Sequence, residues 1–169
     1  SILTTEEGIY GRVNLYAWKV YQPNTYFDSS GANTMGFSIP AAMAASLVRP
    51  HQKTISLVGD AGFLMRAGEL ETMARLNLAP VIIIFDDGAL GMIRVKQQSK
   101  KYAREGVDLA QTDFVRLAES FGGVGWQVET LGQFHTAFEK ALGADKLHVI
   151  DARVNADIYA SHINSIRGV

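Results

Sequence analysis

The sequence contains no cysteine, which excludes disulfides and thiolate metal sites together. Histidine is scarce as well: His51, His135, His148 and His162 are scattered and lack the spacing of metal ligands. No apolar run approaches the ~20 residues of a membrane-spanning helix, and the amino terminus has no signal-peptide pattern. Neither sign of charge dominates. With a formal net charge of −1, nothing marks the chain for nucleic acid or for an acidic membrane surface. No Gly-Lys-Ser or Gly-Lys-Thr closes a P-loop, no G-x-G-x-x-G fingerprint is present, and no G-x-S-x-G elbow exists. Mononucleotide enzymes, dinucleotide enzymes and serine hydrolases therefore lose ground. Internal repeats and low-complexity linkers are also missing. The lack of cysteine fits a reducing interior, and a cytoplasmic location is the expectation.

The remaining composition is that of an ordinary globular domain, 47% hydrophobic and 20% charged. A chain of 169 residues can bury a proper core in one domain and is short for two. Residues 1–30 are the least regular part, with a helix expected over part of 9–21. Ser38-Ile39-Pro40 announces a helix running to Val48, with proline in its first turn. A strand at 53–59, a helix near 67–77, a strand at 80–86 and a helix near 89–98 follow. Thr112-Asp113 opens a helix that Gly122-Gly123 stops. A strand at 124–128, a helix over 131–142, a strand at 147–153 and a short helix near 157–166 complete the pattern. Such alternation predicts an α/β fold, a doubly wound and mostly parallel sheet with helices on both faces, as a single domain over 1–169.

Chemistry gathers at two strand ends. Thr54-Ile55-Ser56-Leu57-Val58 runs into Gly59-Asp60-Ala61-Gly62, and Val81-Ile82-Ile83-Ile84-Phe85 runs into Asp86-Asp87-Gly88. Short β-branched runs between turn residues read as strands buried on both faces. Joined by a helix, they place Asp60 and Asp87, 27 residues apart, at the same carboxyl-terminal edge. Open α/β sheets bind ligands there. Either acid alone reads as a turn former or helix cap. Together, beside glycines that let backbone approach an anion, they suit a Mg²⁺ carrying a phosphate.

These residues carry a family resemblance. The chain resembles the carboxyl-terminal, diphosphate-binding domain of thiamine diphosphate enzymes of the acetohydroxyacid (acetolactate) synthase and pyruvate oxidase type. That family's signature is Gly-Asp-Gly, a spacer of under thirty residues, then Asn-Asn; here it stands as Gly59-Asp60-Ala61 and Asp86-Asp87. The likeness extends from Ser29-Ser30-Gly31-Ala32-Asn33-Thr34-Met35-Gly36-Phe37 through Gly62-Phe63-Leu64-Met65 and Glu69-Leu70-Glu71-Thr72 to Leu90-Gly91-Met92-Ile93. Asp113-Phe114, Leu117-Ala118-Glu119-Ser120-Phe121-Gly122 and Tyr159 match too.

The resemblance implies that Asp60 and Asp87 bind Mg²⁺ through their side chains and Ala89 through its carbonyl. Backbone N–H groups of Ala61, Gly62 and the loop Gly88, Leu90, Gly91 would hold phosphate oxygens, with Gly59 and Met92 beside them. Met35 would be the apolar wedge under the bent cofactor, and the Asn33 carbonyl would meet its amino group. Asp87 departs from the usual asparagine and adds negative charge near a diphosphate. Gly8-Ile9-Tyr10 stands where relatives follow glycine with polar or imidazole side chains, so either backbone groups do that work or cofactor affinity is weakened. The basic run Arg94, Lys96, Lys100, Lys101 and Arg104 reads as a solvated face rather than as recognition of an anionic substrate.

The implied reaction is decarboxylation of a small 2-oxo acid such as pyruvate and transfer of the acyl carbanion, as in an acetolactate synthase-like carboligase. Other 2-oxo acid decarboxylases, benzaldehyde lyase-like enzymes and pyruvate oxidase-like enzymes share the scaffold. FAD is possible in a pyruvate oxidase-like parent, though no residue here supports it. In the family, the activating glutamate belongs to a pyrimidine-binding domain, normally on a neighbouring subunit, and nothing in this chain resembles that domain. The expectation is therefore no catalytic residue within this chain, an excised domain or one subunit of a two-chain enzyme, and a homo-oligomer. A non-catalytic cofactor-binding or regulatory module is the alternative of another class.

Overall fold

The computed structural model describes residues 1–29 and 31–161. Six strands form one sheet in the order β2-β1-β3-β4-β6-β5, and every pairing is parallel. They are β1 (Ile2–Thr4), β2 (Tyr26–Phe27), β3 (Thr54–Gly59), β4 (Val81–Asp86), β5 (Val124–Val128) and β6 (His148–Arg153). The helices are α1 (Ile9–Ala17), α2 (Ser38–Val48), α3 (Asp60–Leu64), α4 (Glu69–Arg75), α5 (Gly91–Ser99), α6 (Phe114–Ser120) and α7 (Leu131–Leu142). The α/β class read from the sequence holds, and the sheet is wholly parallel.

Alternation along β3 and β4 builds two cores. Val58, Ile82 and Ile84 face α2, α4 and α6, where Ile39, Leu70, Met73 and Phe114 join them. Ile55, Leu57, Val81 and Ile83 face the other way, with Ala137 and Ala141 of α7 and the ring of Tyr10 from α1. Near-continuous burial of both strands is what a parallel sheet covered on two faces requires. Caps fix where helices start. The Asp113 carboxylate accepts from Arg116 N at 2.9 Å, and Thr130 with Gln133 makes a capping box at α7. Gly122, at φ +79, turns the chain after α6, as the Gly-Gly pair suggested.

Several boundaries differ from the sequence reading. Residues 1–30 looked irregular, yet β1 and β2 occupy one edge of the sheet. Their runs are three and two residues long, too short to show a period. The segment after Asp60 is a helical turn, α3, with Phe63 fully buried, so the following helix is shorter than expected and begins at Glu69. At the end, a 3₁₀ turn over Ala156–Ile158 leads into helical residues to Ser161; the rest of the expected 157–166 helix, with His162, lies outside the described residues. Ser30 lies outside them too. Among the histidines, His148 is buried and its Nδ1 accepts from Trp126 Nε1 at 3.0 Å, a packing role. No helix among the described residues is long and apolar enough to cross a membrane.

The topology places a crevice. From β1 the chain crosses through α1 to β2 on one side; from β3 it crosses through α3 and α4 to β4 on the other. Connections leaving neighbouring strands in opposite directions open a gap between β1 and β3 at their carboxyl ends, the place where such sheets take ligands.

Candidate functional site

That gap is a cleft of about 110 Å³. Residues from three loops line it: Glu6 and Gly8 after β1, Gly59 to Gly62 after β3, and Asp87 and Ala89 after β4. Leu90, Gly91 and Met92 of the entry to α5, with Met35, also line it. Of the residues singled out from the sequence, Asn33 and Gly88 do not. Asn33 is exposed in a turn at φ 49, where its N–H donates to Ser29 O at 2.7 Å. Gly88 adopts φ +69, a conformation glycine tolerates, and its N–H points back into the protein.

Asp60 and Asp87 end adjacent strands, since β3 and β4 are paired throughout. Asp60 Oδ1 accepts from Ala61 N at 2.7 Å and Oδ2 from Gly88 N at 2.8 Å. Asp87 Oδ1 accepts from Ala89 N at 2.9 Å. Burial, then the nearby charges of Asp87 and Asp86, pushes the Asp60 carboxyl up to about 7 against the pull of those N–H groups. Burial raises Asp87 as well, opposed by the Tyr159 hydroxyl, the Ala89 N–H and the Arg94 charge. Two desolvated, mutually repelling carboxylates beside a carbonyl form a hard oxygen donor set, and a divalent cation relieves the cost of ionising both. No group of three or more His, Asp or Glu side chains with metal-site geometry exists among the described residues. The two carboxylates and the Ala89 carbonyl, which also accepts from Gly91 N at 2.9 Å, are hard oxygen donors of the kind Mg²⁺ takes.

The loop N–H groups are hydrogen-bonded within the protein. All four of residues 88–91 are engaged within the protein: Gly88 with Asp60 and Asp86, Ala89 with Asp87, Leu90 with Val107 O, and Gly91 with Ala89 O. The sequence could not show this closure, because Val107 and Asp108 reach the loop from a distant segment, through an antiparallel bridge between Ala89 and Asp108. The glycines also serve the chain's own side chains. A Cβ at Gly62 would overlap the Glu6 carboxylate, and one at Gly91 would lie 2.6 Å from Asp87 Oδ2 and 2.9 Å from the Tyr159 ring.

Glu6 and Tyr10 had no assigned role in the sequence. Glu6 is 3% exposed, and its Oε2 accepts from Ser38 N at 3.1 Å and Ser38 Oγ at 3.0 Å. Burial raises its pKa. Held there, it cannot swing away from a side chain at position 62. Gly62→Ala should therefore cost about 1–3 kcal/mol by overpacking, read as a lower melting temperature. An unchanged melting temperature would show that the Glu6 contact is not tight. Tyr10 stacks on Phe85 with centroids 4.6 Å apart, and its hydroxyl lies 3.5 Å from where a Gly59 Cβ would stand. The segment that seemed to lack polar groups thus brings a phenol to the cleft.

Other acids and cations fall elsewhere. Glu69 is not part of the cleft lining. Arg104 is paired with Asp108, and Lys96, Lys100 and Lys101 are exposed, as a solvated basic face requires.

Comparison with known proteins agrees with this geometry. Residues 8–152 match the family model described as thiamine pyrophosphate enzyme, C-terminal TPP binding domain. An acetolactate synthase of Bacillus subtilis (strain 168) is 39% identical over 148 residues, covering 87% of this chain and 25% of that protein. A probable acetolactate synthase large subunit of Methanococcus aeolicus is 32% identical, covering 92% of this chain and 26% of that protein. Among solved structures, the thiamine diphosphate-dependent 4-hydroxybenzoylformate decarboxylase of Rhodococcus jostii RHA1 superposes with a TM-score of 0.84 at 30% identity, covering 92% of this chain and 29% of that one. The chain thus spans about a quarter of the length of the curated relatives it matches. With the cleft, the paired acids and these matches together, the chain belongs to the thiamine pyrophosphate enzymes, as their C-terminal cofactor-binding domain.

Proposed function

We propose that this domain anchors the diphosphate of thiamine diphosphate through Mg²⁺, within an enzyme that decarboxylates a 2-oxo acid such as pyruvate and passes the acyl carbanion to an acceptor, as an acetolactate synthase does. One observation carries the reading: Asp60 and Asp87, at the ends of adjacent strands, line one cleft. Asp60, Asp87 and the Ala89 carbonyl hold the metal. When Asp60 turns to the cation, the Ala61 N–H is released for a phosphate oxygen, with Gly62 beside it and the Tyr10 hydroxyl near Gly59. Met35 supports the cofactor from the apolar side of the cleft. Bound there, the cofactor supplies the electron sink for loss of CO₂.

The chain's own residues exclude water, hold the anion and fix the metal; the proton relay comes from a pyrimidine-binding domain of the parent chain or of another subunit, in a homo-oligomer. A 2-oxo acid decarboxylase without an acceptor is the second reading, favoured by the likeness to the Rhodococcus jostii decarboxylase. Incubating the intact protein with pyruvate, thiamine diphosphate and Mg²⁺ separates the two. A carboligase releases CO₂ and forms acetolactate; a decarboxylase releases CO₂ and an aldehyde. Failure to bind thiamine diphosphate with Mg²⁺ at all sinks both.

A further inference from the structure

The site carries more acid than metal binding needs. Asp86 stands where the family's first asparagine stands, is 6% exposed, and does not line the cleft. Directly opposite it in the β4–β6 register is Arg153. Arg153 Nη1 lies 2.9 Å from Asp86 Oδ2, and Nη2 lies 3.1 Å from Asp151 Oδ2, itself 1% exposed. The other oxygen of Asp86 accepts from Gly88 N at 3.0 Å, and that same N–H donates to Asp60 Oδ2 at 2.8 Å. One continuous path therefore runs from Asp151 through Arg153, Asp86 and the Gly88 N–H to Asp60.

We infer that Arg153 is a positioning residue for the metal site: its guanidinium neutralises Asp86, so that a third buried carboxylate can sit beside Asp60 and Asp87, and fixes the Gly88 N–H shared by Asp86 and Asp60. Removing one partner of a buried pair leaves an uncompensated charge. Asp86 would then compete with Asp60 for the Gly88 N–H and add repulsion between the carboxylates. An asparagine at 86 carries no charge and needs no guanidinium, so Asp86 and Arg153 belong together as a pair. Asp151 touches the same guanidinium, yet no hydrogen bond of the described residues ties it to Gly88. Asp151 also interacts with Asp86 itself, but only Asp86 shares the Gly88 N–H with Asp60.

This inference rests on the proposed cofactor reading, and the test keeps the two apart. Binding of thiamine diphosphate with Mg²⁺ is measured by calorimetry on the intact protein, alongside melting temperatures. Arg153→Met should weaken binding about 10–100-fold, the usual effect of losing a partner that orients a metal ligand. Adding Asp86→Asn should bring affinity back to within about threefold of the unaltered protein, while adding Asp151→Asn to Arg153→Met should restore stability with a clearly smaller recovery of affinity. Should Arg153→Met alone fail to fold, the Asp86→Asn, Arg153→Met double variant still decides: folded and binding supports the role, folded and not binding overturns it. Unchanged affinity in Arg153→Met, or equal recovery by Asp86→Asn and Asp151→Asn, overturns the positioning role while leaving the cofactor reading intact. Absence of Mg²⁺-dependent binding in the unaltered protein overturns that reading and the inference with it.

Discussion

Asp60→Ala is expected to abolish Mg²⁺-dependent binding of thiamine diphosphate while the fold survives. Asp60 follows β3 as the first residue of α3 and contributes no apolar packing, so the variant loses the proposed metal ligand and not a core contact. Its carboxyl is pushed up to about 7, chiefly by burial, which means that ionisation costs the folded state stability. The sign follows: that cost grows as pH rises from the ordinary carboxylate range through about 7, and alanine removes it. The Gly88 N–H keeps Asp86 as an acceptor. Without metal, the melting temperature of Asp60→Ala should stay within a few degrees of the unaltered protein. Asp87→Asn should bind the cofactor nearly as well, because an amide oxygen still offers a hard donor and is the residue the family uses there. Calorimetric titration of both variants decides, and retained binding by Asp60→Ala would remove this residue from the site.

The second large effect is loss of activity in the isolated domain. This chain alone should release no measurable CO₂ from pyruvate, even at saturating thiamine diphosphate and Mg²⁺, and should recover when its pyrimidine-binding partner is supplied. A single positioned acid or base typically contributes about 10²–10⁴-fold. Four acids line the cleft: Asp60 and Asp87 are assigned to the metal in the proposed reading, Glu6 is held through Oε2 by Ser38, and Glu7 is the fourth. Glu69 does not line the cleft. Robust turnover by the isolated chain would point to Glu6 or Glu7, and Glu6→Gln and Glu7→Gln would then tell them apart.

The parts of this structure legible in the sequence are those with local causes. Short runs rich in β-branched residues made β3 and β4 visible, and the residues after each run fell at the ligand-binding edge because parallel strands share one direction. β1 escaped notice because three residues carry no period, although Thr4, Thr5 and Glu6 are as buried as a core. What stayed hidden depends on contacts between distant segments. Glu6 sits under Gly62 and is held by Ser38; Tyr10 stacks on Phe85; Arg153 meets Asp86 only because β6 inserts beside β4. The substitution of both family asparagines by acids was the available signal. It called for a cation nearby, and a lone arginine after Val149-Ile150-Asp151 could have answered it.

The most direct measurement is a structure of the intact protein with thiamine diphosphate and Mg²⁺ bound. The expected result is a metal held by the carboxylates of Asp60 and Asp87 and the carbonyl of Ala89, at about 2.0–2.1 Å, with the diphosphate over Ala61 and Gly62. A cation or a diphosphate bound away from the carboxyl ends of β3 and β4, or a metal that leaves either Asp60 or Asp87 uncoordinated, would contradict it.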